Sequence, residues 1–301
     1  MDFTLSNEQR SWQMAARKFA DEEIRPISLA RDAIETARET FDWEIIKKGS
    51  KLGFRTMAVP KEWGGQGTDF VTQALVMTEL AKADSAISKA FSQNWKWSHL
   101  ISASCTEEQK QRFLPGFVAD DTFVLGKGIT EPSAGSDNRM PQDDPKTGIK
   151  LRGERKGDEW ILNGEKAFIA NAPIGKLFFI DVRTDATVPP KQGTTLFLVP
   201  SDAPGYTRGE KYRKMGWRSS DTRPLYLDNC QLPETSIVGK AHGGQLDNTS
   251  RREWLGEQQK NRTRQLDAPT WLWTATVELL AIHEKAYLDH CRRYALSDRA
   301  A

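Results

Sequence analysis

The sequence lacks the features that would mark it for a membrane, a nucleic acid, a metal or the secretory route. No apolar run approaches the roughly 18 residues that span a bilayer. Acidic and basic residues nearly cancel, 41 against 43, for a formal charge of +2. A nucleic-acid binder would carry a basic surplus or clustered Lys/Arg runs. Met1 through Ser6 show no cationic stretch leading into an apolar one, so no secretory signal is expected. Cysteine is scarce: Cys105, Cys230 and Cys291 are odd in number and far apart. That fits reduced thiols better than a disulfide framework or a metal site. His99, His242, His283 and His290 have no ligand spacing with cysteines or carboxylates. The expectation is a soluble, cytoplasmic protein with no metal, no nucleic-acid partner and no membrane span.

What is present suffices for a sizeable core: 301 residues, 38% of them hydrophobic, a length that suggests about two domains. The first 120 residues read as helix upon helix. Ser6 with Gln9 forms a capping box; Trp12, Ala15, Ala16, Phe19 and Ala20 follow as one apolar face, and Pro26 is expected to close the segment. Further helical patterns run from Glu35 to Gly53 (Phe41, Ile45, Ile46, Leu52), from Val71 to Ala83 (Val71, Leu75, Met77, Leu80, Ala81) and from Glu107 to Phe117.

The texture changes at about residue 121. Phe123–Ile129 reads as a strand entering a Gly/Pro/Ser-rich loop. Trp160–Leu162 and Glu165–Ile169 flank Asn163-Gly164, the pair that favours a tight type I′ hairpin turn, so a hairpin is expected there. Leu177–Val182, Thr194–Val199 and Pro224–Asp228 follow as strands. Short strands between turn signals imply a compact β unit, a barrel or a small sandwich. Residues 241–270 are polar with little periodicity; residues 270–296 regain a helical pattern. The expected class is therefore α+β, with an N-terminal helical domain (1–120), a middle β-barrel-like domain (121–235) and an incomplete C-terminal helical domain (236–301).

Five stretches, in order, carry a resemblance: Gly53-Phe54 with Pro60–Gly67; Glu107–Pro115; Thr130-Glu131-Pro132-Ser133-Ala134-Gly135-Ser136-Asp137; Asn163–Lys166 with Phe168–Asn171; and Lys214–Thr222 with Val238-Gly239. Over residues 1–240 the chain resembles the acyl-CoA dehydrogenase family, whose motifs these are. The last set resembles the strands that close the family's middle domain. The resemblance implies FAD and removal of two hydrogens from Cα and Cβ of an acyl-CoA thioester. It places Lys127, Ile129, Thr130, Gly135, Ser136, Phe168, Ile169 and Ala170 at the cofactor, with Ser136 also near the thioester arm. A loop of small residues and hydroxyls can approach and tune a flavin. The family commonly has Thr or Ser where Ala170 stands, and alanine cannot donate the corresponding hydrogen bond.

The resemblance also marks what is missing. The family's glutamate base commonly lies far along the C-terminal helical domain, in a stretch this chain does not contain, so the chain reads as shortened. In a minority it lies early on that domain's first helix, where this register has Leu272 and Trp273; Glu278 and Glu284 come several residues later. No catalytic base is assigned. The stretch Arg251–Arg264 matches the family poorly and leaves open a divergent loop, an insertion or a damaged frame. The expected partners are an acyl-CoA substrate, an electron-transferring flavoprotein, and further copies or a companion subunit. Two other functions stay open: a non-catalytic remnant or partner subunit, and a flavin monooxygenase on the same fold.

Overall fold

The computed structural model describes residues 4–34, 41–139 and 143–243. Leu272, Trp273, Glu278, Glu284 and the stretch Arg251–Arg264 lie outside the described residues. Contacts divide the chain into two compact units. Of the described residues, the first takes in those up to 95 and 213–220, the second those within 96–212 and 221–243. Among the described residues, no helix is long and apolar enough to cross a membrane.

In the first unit, α1 (Asn7–Phe19) starts at the expected capping box: Ser6 Oγ accepts from the Gln9 amide at 3.1 Å and Gln9 Oε1 accepts from the Ser6 amide at 3.0 Å. Ala16, Phe19 and Ala20 are buried, whereas Ala15 faces solvent. Pro26 does not close the segment. A π turn, Ala20–Ile24, leads directly into α2 (Arg25–Ala33), where Pro26 falls in the first turn. The chain stays helical through Ile24 and Arg25, so the π turn, not a free helix start, accommodates the ring. α3 (Trp43–Lys51) is capped by Asp42 and buries Ile45 and Ile46, while Leu52 at its end is 49% exposed.

α4 (Phe70–Ala83) buries Thr72, Gln73, Val76, Glu79, Leu80 and Ala83, a partly polar stripe, and leaves Val71 exposed. The polar members have partners: Glu79 accepts from Gln13 at 3.1 Å and from Arg17 at 2.9 Å, which ties α4 to α1. α5 (Ser85–Ser104) was not visible as a helix in the sequence. Ser88, Asn94 and Ser98 are buried beside Ala86, Ile87, Ala90 and Phe91, so polarity does not mark its faces.

Lys214–Ser220 forms no closing strand. The Arg218 amide donates to Asp32 at 3.2 Å, its guanidinium donates to the Ile34 carbonyl, and Lys89 lies 4.3 Å from the Trp217 ring centroid. These bonds hold the segment on the first unit, and the strand begins only at Thr222.

The second unit opens its own secondary structure with α6 (Glu107–Ala119), capped reciprocally by Thr106 and Gln109. Eight strands then form one sheet: β1 (Val124–Gly128), β2 (Arg152–Lys156), β3 (Glu159–Ala170), β4 (Gly175–Arg183), β5 (Thr194–Pro200), β6 (Tyr206–Arg208), β7 (Thr222–Pro233) and β8 (Ile237–Val238). The order is β6-β7-β3-β2-β4-β5-β8, with β1 parallel to β4. Phe178, Ile180 and Val182 of β4 join Trp160, Leu162, Phe197, Val199, Leu225 and Leu227 in the core. On the other face of β4, Phe179 meets Trp97 with ring centroids 5.5 Å apart. Burial on both faces explains why β4 reads as an unbroken apolar run rather than an alternation.

Asn163-Gly164 is not a turn. Both residues lie inside the continuous strand β3, at a register shift between Leu162 and Gly164, and the Asn229 amide donates to Asn163 Oδ1 at 2.7 Å. The hairpin closes earlier, at Gly157-Asp158, because Lys156 pairs with Glu159 and Arg155 with Trp160. Gly157 has φ 64°, the left-handed conformation a tight turn requires; Asn163 does not enter that region. An added Cβ at Gly157 meets nothing within 4 Å, so its substitution isolates the backbone effect. Gly157→Ala is expected to lower stability by about 1 kcal/mol, measured by urea unfolding; an unchanged midpoint would place the turn elsewhere.

Candidate functional site

The site candidates fall on two segments of the second unit, and one backbone irregularity brings these together. From Gly164 opposite Leu227, β3 and β7 pair in register until Lys166 faces Leu225, and the next pair is Ile169 with Arg223. Ala167 and Phe168 therefore both stand opposite Pro224. Proline has no N–H to give the ladder, and the Pro224 carbonyl is taken by the Gly209 amide at 3.0 Å. The result is a β-bulge, which leaves residues unpaired and re-aims side chains. The Ala167 amide turns away from β7 and donates to the Thr130 carbonyl at 2.7 Å. Phe168 takes φ 59°, costly for an aromatic residue, and its ring is 62% exposed. It stacks on Tyr212 with centroids 4.9 Å apart.

The loop after β1 is equally specified. Glu131 and Ala134 exchange backbone bonds of 2.9 and 3.2 Å, closing a tight turn over Pro132-Ser133. The Gly135 amide donates to Asp137 Oδ1 at 2.6 Å, and the Asn138 side chain donates to the Ala134 carbonyl at 3.1 Å. Gly135 and Ser136 are exposed and Thr130 is half-buried. Among the described residues, no protein group takes the hydroxyls of Thr130 and Ser136. At Gly135 a Cβ would meet no protein atom within 4 Å, and its φ is not positive. Neither the turn nor the packing of this chain requires glycine there; a flat ligand lying close to the backbone would.

Charge is buried beneath this surface. Lys166 is fully buried and its Nζ lies 2.7 Å from Glu131 Oε1, itself on a residue only 4% exposed. Burial pushes the Lys166 ammonium below its ordinary value, against the pull of Glu131 and Asp181. Lys127 pairs with Asp181 at 2.9 Å. Its charge is thus spent inside the sheet. The Ile169 side chain is part of the core, so any role it has at the site falls to its backbone. Ala170 is half-buried and brings no donor in its side chain. Burial also pushes Cys105 to about 12 and Cys230 to about 11, which keeps both thiols protonated at neutral pH and unfit as nucleophiles.

Of the expected residues, Ile129 and Thr130 are bonded to Lys166 and Ala167 of β3, next to Phe168; Gly135 and Ser136 lie exposed further along the same loop, the Ile169 side chain sits in the core, and Lys127 is turned to Asp181. Tyr212, Glu131 and Lys166 were not expected as site residues. Tyr212 carries no motif. For the other two the available signal was a lone acid in a loop of small residues and a lysine within a strand.

A helical unit joined to a unit built on this sheet, with a small-residue loop held against a bulged strand, is the arrangement of a known dehydrogenase class. Residues 6–121 match the N-terminal domain of acyl-CoA dehydrogenases and residues 126–230 match their middle domain. The chain belongs to the acyl-CoA dehydrogenase family. It is 31% identical over 240 residues to the mitochondrial isobutyryl-CoA dehydrogenase of Dictyostelium discoideum, covering 80% of this chain and 54% of that protein. This chain therefore spans about half the length of that relative. Among solved structures, one described as an electron transferring flavoprotein of Acidaminococcus fermentans shares 32% identity at TM-score 0.72, covering 81% of this chain and 61% of that one. The glutaryl-CoA dehydrogenase of Mycobacterium smegmatis in complex with FADH2 shares 30% at TM-score 0.66, covering 79% and 57%.

The exposed ring of Phe168 gives this surface a measurable signature. Phe168→Gly removes the stack on Tyr212, worth about 1 kcal/mol, and relieves a left-handed aromatic residue, worth about as much. Stability by urea unfolding is expected to stay within about 1 kcal/mol of the parent, although a large aromatic side chain has been deleted. A loss of about 3 kcal/mol or more, as for a core phenylalanine, would show that the ring belongs to the fold and not to the surface.

Proposed function

We propose that this chain supplies the flavin-holding part of an FAD-dependent acyl-CoA dehydrogenase. The observation that carries the reading is the start of the loop Thr130–Ser136 bonded to β3 at Lys166 and Ala167, next to the exposed Phe168 at the bulge. These residues fit a flavin: a flat aromatic group needs close backbone approach, donors at its edge and a side chain against its face. Bound FAD would supply the acceptor for a hydride leaving Cβ of the acyl chain.

The chain's own residues do the rest. Thr130 and Ser136 would offer hydroxyl donors to ring atoms, with Ser136 also a donor for the thioester arm. Gly135 would keep the backbone side open. Phe168, with its exposed ring, would cover the flat group and exclude water there. Ala170 is the weak point, because a hydroxyl at that position would add a donor aimed at the reacting ring atoms. Removal of the α-proton falls to a carboxylate that none of the described residues supplies.

The domain division 1–120, 121–235 and 236–301 belongs to the same proposal, as do further copies or a companion subunit, an electron-transferring flavoprotein as acceptor and a cytoplasmic location. The Dictyostelium relative, by contrast, is described as mitochondrial. The absence of a hydroxyl on Ala170 favours one second reading, a flavin-binding subunit that turns nothing over.

A titration of the purified chain with FAD, followed by visible absorption, tests the first part. The expected result is a bound-flavin spectrum, which acyl-CoA thioesters added anaerobically bleach where a carboxylate outside the described residues supplies the base. Ala170→Thr is expected to speed the bleaching about tenfold or more, since one preorganised donor contributes on that scale. A spectrum without flavin would overturn the proposal. Bound flavin that no thioester bleaches, in the parent and in Ala170→Thr alike, would favour the non-catalytic subunit.

A further inference from the structure

Three consecutive residues of the loop are held by two consecutive residues of β3. The Lys166 ammonium donates to the Ile129 carbonyl at 3.2 Å and to Glu131 Oε1 at 2.7 Å. Between these, the Thr130 carbonyl accepts from the Ala167 amide at 2.7 Å. Glu131 extends the hold to the chain entering β2. Its Oε2 accepts from the Lys150 amide at 2.5 Å and its Oε1 from the Leu151 amide at 3.0 Å. One buried carboxylate and one buried ammonium thereby fix the start of the loop, the β3 bulge and residues 150–151 to each other. The other charges facing the pair, Lys127 and Asp181, are bonded to one another at 2.9 Å.

Such a pair is an expensive way to fill space. Taking both charges out of water costs several kcal/mol per ion, and apolar residues of similar volume often do as well or better for stability. Apolar side chains have no direction, however. They could not fix carbonyl and amide groups of three segments in one register, whereas charge-assisted hydrogen bonds do so within tenths of an ångström.

We propose that the Lys166–Glu131 pair is a strut that sets the height of the loop Thr130–Ser136 over Phe168–Ala170, which makes Lys166 a positioning residue for the flavin. The proposal rests on the flavin reading above. Lys166 itself touches no ligand; its ammonium acts through Ile129 and Glu131.

The test uses the whole chain and two variants, Lys166→Met, which keeps length and loses charge, and Glu131→Gln, which keeps size and an acceptor. Amide hydrogen exchange is measured without flavin, and FAD affinity is measured by titration. In both variants the amides of Ala134 and Leu151 are expected to exchange about tenfold or more faster, while Leu177–Val182 of β4 keep the parent's protection. FAD is expected to bind about tenfold or more weakly, with the change larger for Lys166→Met. If Lys166→Met also loses protection in β4, it has unfolded, and Glu131→Gln decides. Parent-like exchange at Ala134 and Leu151 would overturn the strut. So would faster exchange with FAD affinity equal to the parent's. If the parent itself takes no FAD, the flavin reading falls, and exchange alone decides whether the strut holds the loop.

Discussion

A proline in the middle of a strand sets the geometry on which the site depends. Pro224 cannot donate to β3, and its carbonyl already accepts from Gly209. The Ala167 amide therefore has to find an acceptor elsewhere, since a buried unpaired N–H costs on the order of 1–3 kcal/mol. The nearest solution is the Thr130 carbonyl, on a different segment. The same missing rung forces one extra residue into β3, and Phe168 absorbs it in a left-handed conformation with its ring outside. Loop attachment and ring exposure are thus two consequences of one absent donor. Neither would survive if β7 offered a normal rung at that point.

The strain this creates is balanced nearby. Phe168 and Asn171 both have positive φ, at 59° and 61°. Asn171 is fixed from two sides: its amide donates to the Asp221 carbonyl at 3.0 Å and its side chain donates to the Leu125 carbonyl at 3.1 Å. The short stretch between two left-handed residues, Ile169-Ala170, is therefore held at both ends, with Ile169 sunk into the core. That leaves little freedom for Ala170 to move toward or away from a ligand. A side chain at a position so constrained contributes only what its own atoms carry. A serine or threonine there would add a hydroxyl on the same fixed backbone.

How much of this was legible in the sequence depends on which force decides each element. The capping box at Ser6 and the apolar runs of β4 and β5 are local signals, and the folded chain keeps them. α5 was hidden because its buried face mixes serine and asparagine with alanine and phenylalanine, so burial does not track polarity. Asn163-Gly164 misled for a different reason. Its turn preference is real, but Gly157-Asp158 six residues earlier already closes the hairpin, and pairing of Asn163 with Asn229 on β7 outweighs a local preference. Pro26 misled because a π turn accommodates its ring within a chain that stays helical. For the site, motif letters located the loop and the bulge. They could not show that Glu131 and Lys166 hold the two together, because that depends on which groups are buried against each other, and burial is a property of the fold.

The site residues also divide by chemistry in a way that limits what this part of the chain can do. Its surface groups are hydroxyls, backbone donors and an aromatic ring, all suited to binding and orienting. Its buried ion pairs close to the loop are committed, Lys127 to Asp181 and Lys166 to Glu131, while Asp137 accepts from the Gly135 amide. Neither carboxylate of these pairs can serve as a base toward a ligand without leaving a buried ammonium unpaired, at a cost of about 3–5 kcal/mol. The two thiols are held protonated by burial. On the proposed reading, orientation of the flat ligand falls to this surface, and these two buried carboxylates do not supply the base. Holding and reacting are separate jobs here, and the described residues are built for the first.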